Sequence, residues 1–115
     1  MVGKQPETFE EFWPRYLQEH RNPTNRSLHC IGTSLAYVFI SLALVFSIRW
    51  LALAPVVGYG FAWIGHFLVE RNRPATFTHP LWSLRGDFRM HARMLSGGLA
   101  IDLERLGRST VNGGA

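Results

Sequence analysis

From Ile31 to Ile48 the chain runs IGTSLAYVFISLALVFSI, eighteen residues without one acidic or basic side chain. After a lone Arg49 a second run, Trp50 to Val69, is free of charge apart from His66. At 1.5 Å rise per residue, about 20 helical residues cross a hydrocarbon core of about 30 Å. The pattern therefore predicts an all-α integral membrane protein, a helical hairpin with transmembrane helices at 31–48 and 50–69. A buried hairpin in a soluble protein would show the same two runs, but 115 residues leave little sequence to wrap them. The first run is not read as a secretory signal, because no basic segment directly precedes it and a second span follows.

Composition narrows the class further. Hydrophobic residues make up 47% and charged ones only 17%, against about 25% charged in an ordinary domain. Disorder requires the opposite balance. The net charge of +4 invites a nucleic-acid reading, but the cations are not interleaved with a polar scaffold, and no nucleic-acid partner is expected. One cysteine, Cys30, makes no internal disulfide and no thiolate metal cluster.

The cations report orientation. Lys4, Arg15, Arg21 and Arg26 precede the first run, Arg49 alone separates the two, and Arg71, Arg73, Arg85, Arg89, Arg93, Arg105 and Arg108 follow. Positive residues stay in the cytoplasm, so both termini are expected there. The excess charge then serves anionic headgroups.

The flanks read as amphipathic interfacial helices. Thr8-Phe9-Glu10-Glu11 has capping-box spacing, and Phe9, Phe12, Trp13, Tyr16 and Leu17 share one face of a helix over 8–20. Pro14 predicts a kink or a later start. Asn22-Pro23-Thr24-Asn25 predicts a turn. Helices over 80–106 follow, with Arg85, Arg89 and Arg93 in register as a basic side toward phosphates. Gly97-Gly98 breaks them, and 107–115 is expected to fray.

Three of the five histidines bracket the spans on the face assigned to the cytoplasm: His20, His29 and His66. A hairpin returns to the face it left, so they can converge. Glu70 follows His66 by four, on the same helical side. Ionisable groups beside an apolar segment are costly unless paired or metal-bound. Imidazole and carboxylate suit iron, zinc or manganese, and two histidines with one carboxylate favour Fe(2+) and O2 chemistry. A haem held by two histidines has no other support. His79 is the likelier additional ligand of the remaining two, and His91 is read as structural. Gly58, Gly60 and Gly65 offer close helix approach and a homo-oligomer.

His20-x4-Asn25-x3-His29-x2-Gly32, followed by Gly65-His66-x3-Glu70-Arg71-x-Arg73-Pro74-Ala75, resembles the Mpo1-like family of small membrane proteins. Pro80-Leu81-Trp82-Ser83-Leu84-x-Gly86-Asp87 resembles its short prokaryotic branch, which implies a bacterial inner membrane. Eukaryotic members are longer and include an Fe(2+)-dependent 2-hydroxy fatty acid dioxygenase. The resemblance implies α-oxidation, in which a 2-hydroxy fatty acid and O2 give an acid one carbon shorter. It implies His20, His29 and His66 as metal ligands, with Glu70 as a fourth ligand or the partner of an imidazole. Asn25 would then hydrogen-bond a ligand or the bound oxygen, and Arg71 or Arg73 would meet the substrate carboxylate or anchor to headgroups. The acyl tail would lie near Tyr37, Trp63 and Phe67. Two other functions fit the residues: an inert structural metal clip, and a zinc-dependent lipid hydrolase.

Overall fold

The computed structural model describes residues 5–113, with side chains as far as residue 107. All regular structure among the described residues is helical. The chain divides into two compact units. One is His20–Pro74; the other joins the residues up to Glu19 with those from Ala75 onward.

In the His20–Pro74 unit, helix α2 spans Pro23–Val45 and so begins eight residues before the apolar run. The expected turn at Asn22–Asn25 is instead the start of this helix. Asn22 is its N-cap, with Oδ1 accepting the Thr24 N–H at 2.8 Å, and Pro23 occupies the first turn, where its missing N–H costs nothing. Helix α2 stops at Val45, and a 3₁₀ turn at Ile48–Ala52 follows, capped by the Ser47 hydroxyl. The connection is therefore wider than Arg49 alone. Helix α3 spans Leu53–Ile64, with Pro55 in its first turn, and runs on as a π-helical turn over Gly65–Glu70.

Contacts between α2 and the α3 segment run in opposite chain order: Asn22 with Glu70, Asn25 with Gly65, Gly32 with Gly58 and Phe61. The approach at Gly32 is close enough that a β-carbon there would lie 2.9 Å from the Phe61 Cβ and 3.0 Å from the Gly58 carbonyl oxygen. Gly58 and Gly65 are thus used within the chain, whereas a β-carbon on Gly60 would meet nothing. Pro23–Val45 and Ile48–Glu70 are each 23 residues long, with mean hydropathies of 1.9 and 1.5. Both are long and apolar enough to cross a membrane. Only 17% and 22% of their apolar windows is buried, which is not how a core helix behaves. Leu44, Val45, Phe46, Ile48, Val56 and Leu68 all face outward.

In the other unit, α1 spans Phe9–Gln18, and Pro14 does not interrupt it. The Thr8 hydroxyl accepts the Glu11 N–H at 3.2 Å, while the Glu11 carboxylate caps the N–H of Glu7 rather than that of Thr8. Helices α4 (Pro80–Ser96) and α5 (Gly98–Gly113) meet at Gly97, whose φ of 83° closes α4 in the left-handed conformation that glycine adopts freely. Phe9, Phe12, Trp13, Tyr16 and Leu17 pack with Ala75, Met90 and Leu99. A β-carbon on Gly86 would lie 2.9 Å from the Tyr16 ring, so a glycine there lets the ring in. The Tyr16 hydroxyl donates to Asp87 at 2.5 Å.

Two expectations change here. The arginines of α4 do not form a free basic stripe. Arg85 lies 4.1 Å over the Phe9 ring and Arg89 4.8 Å over Trp13, drawn by the negative ring faces, while Arg93 grips both Asp102 oxygens. Arg85 nonetheless stays exposed, as do Leu81, Leu84 and Leu95 of the same helix. The tail expected to fray from 107 continues as helix to Gly113, since α5 extends in register from the buried Leu99; residues 114–115 lie outside the described residues.

Candidate metal centre

Three imidazoles meet within the His20–Pro74 unit. His20 lies in the loop before α2, His29 on the second turn of α2, and His66 in the π-helical turn after α3. All three are buried, at 0%, 4% and 2% exposure. One nitrogen from each lies within 4.8 Å of the other two. The ring planes cross at 80–88°, close to mutually perpendicular.

The opposite edges of two rings are anchored. His29 Nδ1 lies 3.0 Å from the Asn25 carbonyl oxygen, one turn back in its own helix. His66 Nδ1 lies 2.7 Å from Asn72 Oδ1. Oxygen acceptors assign the proton to Nδ1 in both, so each Nε2 carries a lone pair. The His29 Nε2 sits 3.1 Å from the His20 Nε2. For nitrogens about 2.1 Å from one ion, adjacent ligands stand about 3.0–3.4 Å apart. Inward lone pairs, outward N–H groups and this spacing fit a shared cation.

The local chain explains the convergence. Arg26 on α2 donates to the carbonyl oxygens of His20 (2.8 Å) and Arg21 (2.7 Å), clamping the His20 loop onto the start of the helix. Arg71 adopts φ 60° and ψ 44° and closes the π turn with its N–H on the His66 carbonyl. Asn72 N–H reaches the same oxygen at 3.0 Å, which brings its side chain back onto the imidazole.

The other expected site residues fall elsewhere. Glu70 is not in the imidazole group; its Oε1 accepts the Asn22 N–H at 2.5 Å and faces Asn25 Nδ2 at 3.4 Å. It joins the beginning of α2 to the end of the π turn, because the helix start needs an acceptor there. Asn25 does serve a histidine, but through its main-chain carbonyl. The side chains of Arg71 and Arg73 are exposed. His79 lies in the other unit, stacked on Trp82 at 5.4 Å and beside the Phe12 ring. His91 is buried outside the imidazole group, and Cys30 is half-buried and also outside it. Asn72 and Arg26 were not foreseen. Asn72 stands in an Arg-Asn-Arg-Pro run that reads as a helix stop, and Arg26 in one that reads as flanking charge.

A family model described as 2-hydroxy-palmitic acid dioxygenase Mpo1-like matches residues 6–99. The chain belongs to the Mpo1-like family. No curated protein and no solved structure matches it. The matched stretch of this Mpo1-like chain includes all five histidines and both apolar segments. The three buried imidazoles of the Mpo1-like chain are a donor set able to hold a metal ion.

Proposed function

We propose that this chain is an Fe(2+)-dependent dioxygenase that shortens 2-hydroxy fatty acids by one carbon at a membrane. The observation that carries the reading is the meeting of His20, His29 and His66, inside the stretch matched to the dioxygenase family. The overall reaction balances without an external reductant: 2-hydroxy acid and O2 give the shorter acid, carbon dioxide and water. When bound, the iron supplies redox capacity and open positions for the hydroxy-acid oxygens and O2. The three imidazoles would hold it as neutral donors, and Asn25 and Asn72 keep the protons of His29 and His66 on the far edges. Burial excludes bulk water from that edge of the site.

The two apolar segments are proposed to cross the bilayer as a hairpin, with α1, α4 and α5 at the cytoplasmic surface of a bacterial inner membrane. Both termini then face the cytoplasm. Along α3 and into the π turn, Tyr59, Trp63 and Phe67 form a ring ladder with centroids 5.9 and 6.4 Å apart. The acyl chain would lie along it. Exposed Arg71 and Arg73 would meet the carboxylate or neighbouring headgroups.

The donor set also favours a second reading. Three imidazoles without a carboxylate are the ligands of zinc sites that activate water, so a zinc-dependent lipid hydrolase remains the competing function. Oxygen separates the two. Protein purified anaerobically in detergent and loaded with Fe(II) should consume O2 with 2-hydroxypalmitic acid and release the acid one carbon shorter. Release of fatty acid from an ester lipid by the Zn(II)-loaded protein without O2, with no O2-dependent shortening of 2-hydroxypalmitic acid, would support the hydrolase.

A further inference from the structure

We propose, resting on the metal-site reading above, that Asn72 is the positioning residue that dictates which nitrogen of His66 meets the metal. His29 has its Nδ1 partner within its own helix, the Asn25 carbonyl at 3.0 Å. A main-chain carbonyl only accepts, so the His29 tautomer is settled by helix geometry. His66 takes its partner from beyond its helix, and that partner is a side-chain amide at 2.7 Å.

An amide has two faces with opposite consequences. With Oδ1 toward His66, the proton stays on Nδ1 and Nε2 offers its lone pair inward. With Nδ2 there instead, Nδ1 would accept and the proton would sit on Nε2, pointing at His20 and His29. Only the first arrangement can ligate. The turn is shaped to hold this contact. Arg71 takes a positive φ, uncommon for a residue with a β-carbon, and the Asn72 N–H bonds the His66 carbonyl at 3.0 Å. Main chain and side chain of Asn72 thus grip one histidine, as partners of metal-bound imidazoles do elsewhere.

The test uses the full chain in detergent, titrated anaerobically with Fe(II), with histidine 15N NMR of the Zn(II)-loaded protein. Asn72→Leu removes the acceptor and should weaken Fe(II) binding about 10- to 100-fold while helical circular dichroism is unchanged. Asn72→Asp keeps the acceptor and adds charge, so it should bind Fe(II) at least as tightly as wild type. The wild-type spectrum should place the His66 proton on Nδ1. A folded Asn72→Leu chain binding as tightly as wild type overturns the inference, as does a His66 proton on Nε2. If Asn72→Leu does not fold, Asn72→Asp decides, and binding ten-fold weaker than wild type overturns it. A wild-type chain that takes up no metal overturns the metal reading itself.

Discussion

The side-chain oxygen of Asn25 stands only 1.8 Å from where a β-carbon on Gly65 would lie. That oxygen is buried and has no hydrogen-bond donor, and the Gly65 Cα–H it faces offers a weak contact. Gly65 opens the π turn that carries His66, and the carbonyl of Asn25 holds His29. One glycine therefore lets two histidine-bearing segments close on each other. Gly65→Ala should push Asn25 aside, destabilise the fold by about 1–3 kcal/mol and weaken metal binding. Gly60→Ala, where the added carbon meets nothing, should be neutral or slightly stabilising. Thermal melts with Fe(II) titrations check both.

Glu70 separates a ligand from a strut. Its carboxylate serves Asn22 and Asn25 and lies outside the imidazole group, so it should not ligate the metal. Glu70→Gln retains an oxygen for the Asn22 N–H and should bind Fe(II) within about two-fold of wild type. Glu70→Ala leaves that N–H without its acceptor and should cost about 1–3 kcal/mol of stability. Loss of iron in the Gln variant, with the fold intact, would make Glu70 a ligand after all.

Much of this arrangement was legible in the chain. The charge-free runs gave the two long helices, and the return of the second toward the start of the first predicted that His20, His29 and His66 would meet. Boundaries were harder. Asn22-Pro23 serves a turn or a helix start equally well, and only the Asn22 side chain on the Thr24 N–H decides for the helix. The role of Glu70 was misjudged because spacing puts a carboxylate on a helix side without saying which donor will claim it. Here a free N–H at the start of α2 does so. The arginines of α4 were misread for a similar reason. Periodicity aligned Arg85, Arg89 and Arg93, but the partners that absorb them, Phe9, Trp13 and Asp102, are far away in sequence or on the next helix. Asn72 needed the left-handed turn at Arg71, which no local pattern announces.

Asp87 gives the fold a pH dependence. Burial of its carboxyl end pushes its pKa up to about 7, and the hydrogen bond from Tyr16 opposes that rise. The folded state then holds a proton that the unfolded chain releases near pH 4. Its stabilising contribution is complete below about pH 4 and is lost as pH rises through about 7. Asp87→Asn should remove this loss and stabilise the protein at pH 8 relative to wild type, by about 1–3 kcal/mol. The gap should shrink toward pH 5. His91, whose pKa burial lowers, works in the opposite direction, losing stability on acidification. It is present in both proteins and cancels in the difference. Thermal melts of the pair at pH 5 and pH 8 provide the measurement; a gap independent of pH would contradict the account.

If the proposed site and spans are right, removing His29 should empty the site without weakening association with a bilayer. His29 packs on α2 through an i−4 hydrogen bond that the helix does not need, since its main-chain ladder is complete without it. The apolar residues that would face lipid, among them Leu44, Val45 and Val56, lie on outward surfaces and do not depend on it. His29→Ala should therefore lose bound iron and O2 uptake while it still partitions with vesicles. In the metal-free chain the His20 and His29 Nε2 atoms stand at hydrogen-bond distance, 3.1 Å, so the metal-free variant should melt lower than metal-free wild type by about 1–3 kcal/mol of lost stability. A larger drop would mean that the three rings hold the loop of His20 to α2 even without an ion. Full iron retention in this variant would remove His29 from the ligand set.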